Sequence, residues 1–75
     1  MVKCPNCDCI SKDNSTLLAH ENHYDHSFVS VKCNCCQKEY AIELDVNNNI
    51  VGTQIQREDG KIYCYDLQGK LFWVV

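Results

Sequence analysis

Two pairs of cysteines, each spaced by two residues, carry the plainest chemistry in this 75-residue sequence: Cys4-Pro5-Asn6-Cys7 and Cys33-Asn34-Cys35-Cys36. Two residues between cysteines let a tight turn aim both sulfurs at one point, and the turn's amide groups are free to stabilise the thiolates. Two such turns complete a tetrahedral four-sulfur shell. Soft thiolates and a tetrahedral geometry select zinc, which needs no redox partner. Cys4, Cys7, Cys33 and Cys36 are therefore the candidate metal ligands, with zinc as the expected ion and no catalytic residue assigned.

The chain holds seven cysteines, an odd number, so full pairing in disulfides would leave one thiol over. The N-terminal Met1-Val2-Lys3-Cys4 has neither the apolar stretch nor the small-residue cleavage site of an export signal. A reducing, cytoplasmic setting is expected from this, and clustered cysteines in such a setting usually mean metal. No apolar run approaches the ~18 residues needed to span a bilayer. A chain this short buries too little apolar surface to offset its own ordering entropy comfortably, so a staple is expected on size alone.

These cysteines must be positioned by short strands. Phe28-Val29-Ser30-Val31-Lys32 leads into the second pair, and Tyr40, Ile42, Leu44 and Val46 alternate with Ala41, Glu43 and Asp45 in the period of a half-buried strand. Asn47-Asn48-Asn49 favours a turn, because asparagine tolerates left-handed backbone angles. Val51, Thr53 and Ile55 share one face of the next strand. Asp59-Gly60 predicts a type I′ hairpin, Ile62 to Asp66 the returning strand, and Gln68-Gly69 a turn into a last strand from Lys70 to Val75. Residues 14–26 read differently: Asn14 or Ser15 can cap a short helix in which Leu17, Leu18, His20 and Glu21 follow without β-branching.

Lys3-Cys4-Pro5-Asn6-Cys7 and the run from Val31 to Tyr40 resemble the two knuckles of a zinc ribbon, a fold found in transcription factors, RNA polymerase subunits and small regulators. The resemblance covers residues 2–46. It implies a zinc-ribbon-like antiparallel sheet; with the short helix between the knuckles, which departs from that family's pattern, and the C-terminal β-meander read above, the expected fold is small, metal-stapled and mainly β. The whole of residues 1–75 is expected to be one zinc-binding domain, with the ribbon core over 2–46 and the meander over 47–75. Gln37 stands where the family usually has a glycine after the second knuckle.

A second ligand set competes with this one. Cys4-x2-Cys7-x12-His20-x5-His26 satisfies the spacing of a two-cysteine, two-histidine finger, with Leu17 at that family's core position. Ser11 stands where such fingers have a core aromatic, and the set strands Cys33, Cys35 and Cys36. His20, His23 and His26 recur every three residues, which suits a second metal or a pH sensor as well as a solvated helix surface. Cys9 and Cys35 are either alternative ligands and redox-active thiols or, the blander expectation, spare cysteines beside a closed shell. Cys64, between Tyr63 and Tyr65, is expected to be a small buried residue.

Four cysteines leave a zinc ion no open position for water, and no nucleophile motif or phosphate-cradling glycine loop is present, so no enzymatic activity is expected. Lys32, Lys38, Arg57, Lys61 and Lys70, with Tyr40, Tyr63, Tyr65 and Trp73 for stacking, offer a nucleic-acid surface. Against it stands the net charge of −3, from ten acids and seven Lys and Arg. Such a chain gains little from neutralising phosphates. The expected role is a protein-interaction module, a small regulator or inhibitor that docks on nucleic-acid machinery such as RNA polymerase or on a host enzyme. Nucleic-acid binding is the alternative, and no membrane contact is expected.

Overall fold

The computed structural model describes residues 2–10 and 14–75 of the chain. Six strands follow one another, β1 (Ser15–Asn22), β2 (His26–Cys33), β3 (Glu39–Asp45), β4 (Ile50–Gln56), β5 (Ile62–Asp66) and β6 (Leu71–Val74). They lie side by side in that same order in one antiparallel sheet. Each strand therefore pairs with its neighbour in sequence, the arrangement that costs least in loop closure. No helix among the described residues is long and apolar enough to cross a membrane.

Three turns in the C-terminal half share one design. In each, the first residue's amide bonds the carbonyl four residues on and its own carbonyl accepts an amide three residues on: Asp45 with Asn49 and Asn48, Arg57 with Lys61 and Gly60, Asp66 with Lys70 and Gly69. The fourth residue of each turn has positive φ: 64° at Asn48 and 82° at both Gly60 and Gly69. This is a type I turn followed by a left-handed residue, which matches the right-handed twist of the strands it joins. The Asp59-Gly60 expectation is thereby corrected in detail. A type I′ turn needs positive φ at both residues, but Asp59 takes the ordinary backbone and its carboxylate instead accepts the Lys61 amide at 2.9 Å.

The expected helix over residues 14–26 is a correction of kind, because the segment is strand β1 and the turn that follows it. β1 pairs with β2 from Ser15↔Cys33 to Asn22↔Ser27, with a bulge between Leu17 and Ala19. Asn14, one of the two expected caps, uses its carboxamide to donate to the Ile10 carbonyl at 3.1 Å. Leu17 and Leu18 are adjacent, and no large apolar residue follows at helical spacing, so a helix here would have no stripe to bury. Lying against β2 instead completes the pairing of β2 on both sides and satisfies one edge of β1.

Cross-strand partners share a face of a sheet, so the registers define one continuous apolar surface. Val31 pairs with Tyr40, Val29 with Ile42, Ile42 with Thr53, and Thr53 and Ile55 with Tyr65 and Tyr63. The predicted alternation in β3 is this surface. Residues 2–10 lie across it and are bridged to themselves by Lys3↔Ile10. Val2, Cys4, Val31, Cys33, Tyr40 and Ile55 make the buried core, and its two most completely buried side chains are Cys4 and Cys33. The centre of this molecule is sulfur rather than hydrocarbon. On the other face Cys64 is buried as expected, between Gln54 and Trp73 in register.

Candidate metal centre

Each cysteine pair sits in a turn one residue longer than the hairpin turns. The first knuckle closes with the Asp8 amide on the Cys4 carbonyl at 2.9 Å and the Cys4 amide on the Cys9 carbonyl at 2.8 Å. The second repeats it: Gln37 amide to Cys33 carbonyl at 2.8 Å, Cys33 amide to Lys38 carbonyl at 2.8 Å. The residue after each pair turns left-handed, with φ of 64° at both Asp8 and Gln37. A glycine there is a convenience, not a requirement. Gln37 holds the position with its side chain, whose Nε2 donates to the Asn34 carbonyl at 3.0 Å.

The two knuckles bring four sulfurs together. Cys4, Cys7, Cys33 and Cys36 place their Sγ atoms within 4.8 Å of one another, with Cys7 to Cys33 at 3.5 Å and Cys4 to Cys36 at 3.7 Å. A tetrahedron of sulfurs around zinc at about 2.3 Å has edges of about 3.8 Å, so the two closest contacts are near the edge a metal would impose. The donor set and its spacing fit the ion. Cys4 and Cys33 are fully buried, whereas Cys7 and Cys36 are half-buried.

Backbone amides point at the sulfurs from both turns. The Asn6 amide reaches Cys4 Sγ at 3.4 Å, the Cys9 amide supports Cys7, and the Lys38 amide supports Cys36. Burial nevertheless pushes the Cys4 thiol up to about 12, because a lone buried thiolate has lost its water. Cys36 moves the other way, down to about 6, chiefly through a hydrogen bond from the Asn6 side chain. A buried thiol that resists ionisation and a neighbour already inclined to it are what a dication would resolve, since it supplies the charge that four thiolates need.

A network not foreseen from the sequence runs behind the sulfurs. Arg57, at the start of the β4–β5 turn, donates through Nη1 to Asn6 Oδ1 at 2.9 Å and through Nη2 to the Pro5 carbonyl at 3.1 Å and the Tyr65 hydroxyl at 2.8 Å. Its guanidinium also lies over the Tyr63 and Tyr65 rings, 5.8 and 5.9 Å from their centroids. Arg57 thus fixes Asn6, and Asn6 bonds a sulfur of the opposite knuckle. The asparagine between the first two cysteines was the only local hint, for Arg57 lies 51 residues away from it.

The histidines of the competing ligand set stand elsewhere. Ser15 is level with Cys33, so β1 carries the chain away from the knuckles, and by Asn22 the strand has risen about 20 Å. His23 and His26 stack at 4.9 Å with 15° between their planes, both edge-on to Phe28, and His26 Nδ1 meets Asp25 Oδ1 at 2.6 Å. Among the described residues, the four-cysteine group is the cluster of three or more ligating side chains, and it contains no histidine. Ser11 lies outside the described residues. Cys9 and Cys35 correct the blander expectation, because they are not separate spare thiols: a disulfide joins them, Cα to Cα 6.7 Å. No protein-family model, no curated protein and no solved structure matches the chain, so the reading of this centre rests on its own geometry.

Proposed function

We propose that this is a non-enzymatic zinc-binding module of the zinc-ribbon kind, which uses its metal to hold a recognition surface rather than to perform a reaction. The observation that carries the reading is the convergence of four sulfurs from two matching turns at the centre of a core with few large apolar side chains. Four thiolates close the tetrahedral shell and leave no position for a substrate or an activated water.

The surface favours a protein partner. β6 presents Leu71, Phe72, Trp73 and Val74 at 44, 59, 61 and 40% exposure, and it is an outer strand of the sheet. Exposed aromatic anchors on an open edge suit a partner that adds a strand or packs on the rings. The nucleic-acid reading has lost parts of its inventory. Arg57 is engaged with the first knuckle, Tyr40 is buried, and the Tyr63 hydroxyl donates to Asp59 at 2.7 Å. A small regulator or inhibitor docking on nucleic-acid machinery or on a host enzyme, in a reducing cytoplasm, is the role we assign.

The test is affinity chromatography from native lysate with the zinc-loaded chain and with Phe72→Ser/Trp73→Ser. One protein recovered in fixed ratio by the first and lost by the second supports the role. Recovery abolished by nuclease, or micromolar binding of random RNA or DNA instead of the weak ~10⁻⁴ M expected at physiological salt, overturns it in favour of nucleic acid.

A further inference from the structure

Each knuckle contributes three cysteines, of which the four-sulfur centre uses two. The remaining ones, Cys9 just beyond the first pair and Cys35 inside the second, are bonded to each other across a sequence separation of 26. That bond joins the same two turns that the metal would join, since Cys7 and Cys33, in contact at 3.5 Å, are also 26 residues apart. The two cross-links close the same loop.

We propose that Cys9 and Cys35 form a redox-controlled clasp that presets the metal centre, so that oxidation of this pair tightens zinc binding and lets the knuckles stay together without metal. The proposal rests on the four-cysteine centre binding zinc. A cross-link acts largely by restricting the chain before the site is assembled, so two cross-links around one loop are redundant and not additive. With the clasp closed, zinc no longer has to bring the turns together. By linkage, bound zinc holds Cys9 and Cys35 within bonding reach and favours their oxidation equally.

Exposure makes Cys35 the point of entry: it is exposed, whereas Cys9 is half-buried like the ligands Cys7 and Cys36, and Cys4 and Cys33 are fully buried. A small-molecule disulfide such as oxidised glutathione is the co-reactant. Cys35 loses its proton to solvent and attacks one sulfur of that disulfide, expelling the first small thiolate and forming a mixed disulfide. Cys9 then loses its proton and attacks the Cys35 sulfur. The second small thiolate leaves, the Cys9–Cys35 bond is formed, and two thiols have been oxidised as one disulfide is reduced.

Zinc affinity, measured by competition with a chromophoric chelator, tests the clasp on the chain reduced with a phosphine, the chain oxidised with glutathione disulfide, and the Cys9→Ser/Cys35→Ser variant. Peptide mapping identifies the bond in the oxidised sample. The oxidised chain is expected to bind zinc roughly tenfold to a hundredfold more tightly than the reduced chain, and the variant to match the reduced chain under both conditions. Equal affinity in the two redox states, with the 9–35 bond mapped, overturns the clasp. So does oxidation that expels zinc and bonds Cys4, Cys7, Cys33 or Cys36. Amide exchange after chelation gives a reading that does not need zinc: residues 2–10 should stay protected only in the oxidised wild-type chain, and loss of protection there in all samples overturns the proposal. Zinc bound by no sample would overturn the metal assignment instead, leaving the clasp to be judged by that protection.

Discussion

The second knuckle grows out of β2 and returns into β3, so the Val31↔Tyr40 and Lys32↔Glu39 pairs hold its two ends before any sulfur is considered. The first knuckle repeats its backbone hydrogen bonds and its left-handed residue, yet has only the Lys3↔Ile10 bridge beneath it. What fastens the first knuckle comes from elsewhere: the Cys9–Cys35 disulfide and the sulfurs of the second knuckle, the hydrogen bonds of Arg57 and the burial of Val2 and Cys4. One turn is a product of the sheet, and the other is a strap that the sheet and the metal hold down together. The same local geometry can therefore be intrinsic in one place and conditional in another.

The strongest way to break this comparison is to remove a ligand. Cys33→Ser and Cys36→Ser should each abolish tight zinc binding, forfeiting most of the apparent ~10 to 16 kcal/mol that such centres supply. Zinc content by elemental analysis, with circular dichroism in reductant, reads the effect; zinc-loaded, folded variants would remove the centre from the account. His20→Ala and His26→Ala serve as contrasts, expected within ~0.5 kcal/mol of wild type.

Chelating the metal from the reduced chain sharpens the difference between the turns. Amide exchange should show protection lost in residues 2–10 while the β2–β3 and β3–β4 pairs retain theirs, because local opening follows the contacts that secure each segment. Simultaneous loss everywhere would mean that the second knuckle also depends on the metal.

A smaller effect is expected behind the sulfurs. Asn6→Ala and Arg57→Ala should each weaken zinc affinity by about 10- to 100-fold, the usual cost of losing an outer partner of a ligand. Arg57→Lys should not restore it, since a single ammonium cannot reproduce the fork that meets Asn6, Pro5 and Tyr65. Wild-type affinity in all three variants would make the network incidental.

The gentlest probe is acid. Cys36 is held as a thiolate down to about 6, and Cys4, raised by burial to about 12, keeps its proton until metal displaces it. Protons thus compete with zinc throughout, and release should steepen as the pH falls below about 6, where Cys36 protonates as well. Release on raising the pH through neutrality would have the wrong sign.

The strands from β2 onward were legible because their side-chain alternation is local, as in Tyr40, Ile42 and Leu44, and the three turns after β3 carry Asn or Gly where positive φ is needed. The four ligands were legible from spacing alone. β1 was not, since the lack of β-branching at Leu17, Leu18 and His20 suits a helix locally, and the missing apolar stripe told against it without naming the strand that the pairing with β2 makes. Asn6 and Arg57 could not be joined from the sequence either, because nothing local links two residues 51 positions apart with four strands between them. The odd cysteine count argued against a full disulfide framework, but it gave no reason to exclude a single bond between Cys9 and Cys35.

Zinc K-edge X-ray absorption on the reduced, zinc-loaded chain addresses the central claim most directly, because it counts the atoms around the ion and identifies them. Four sulfurs at about 2.3 Å and no nitrogen are the result predicted for Cys4, Cys7, Cys33 and Cys36. A first shell containing nitrogen at about 2.0 Å would place histidine on the metal and contradict the two-knuckle centre.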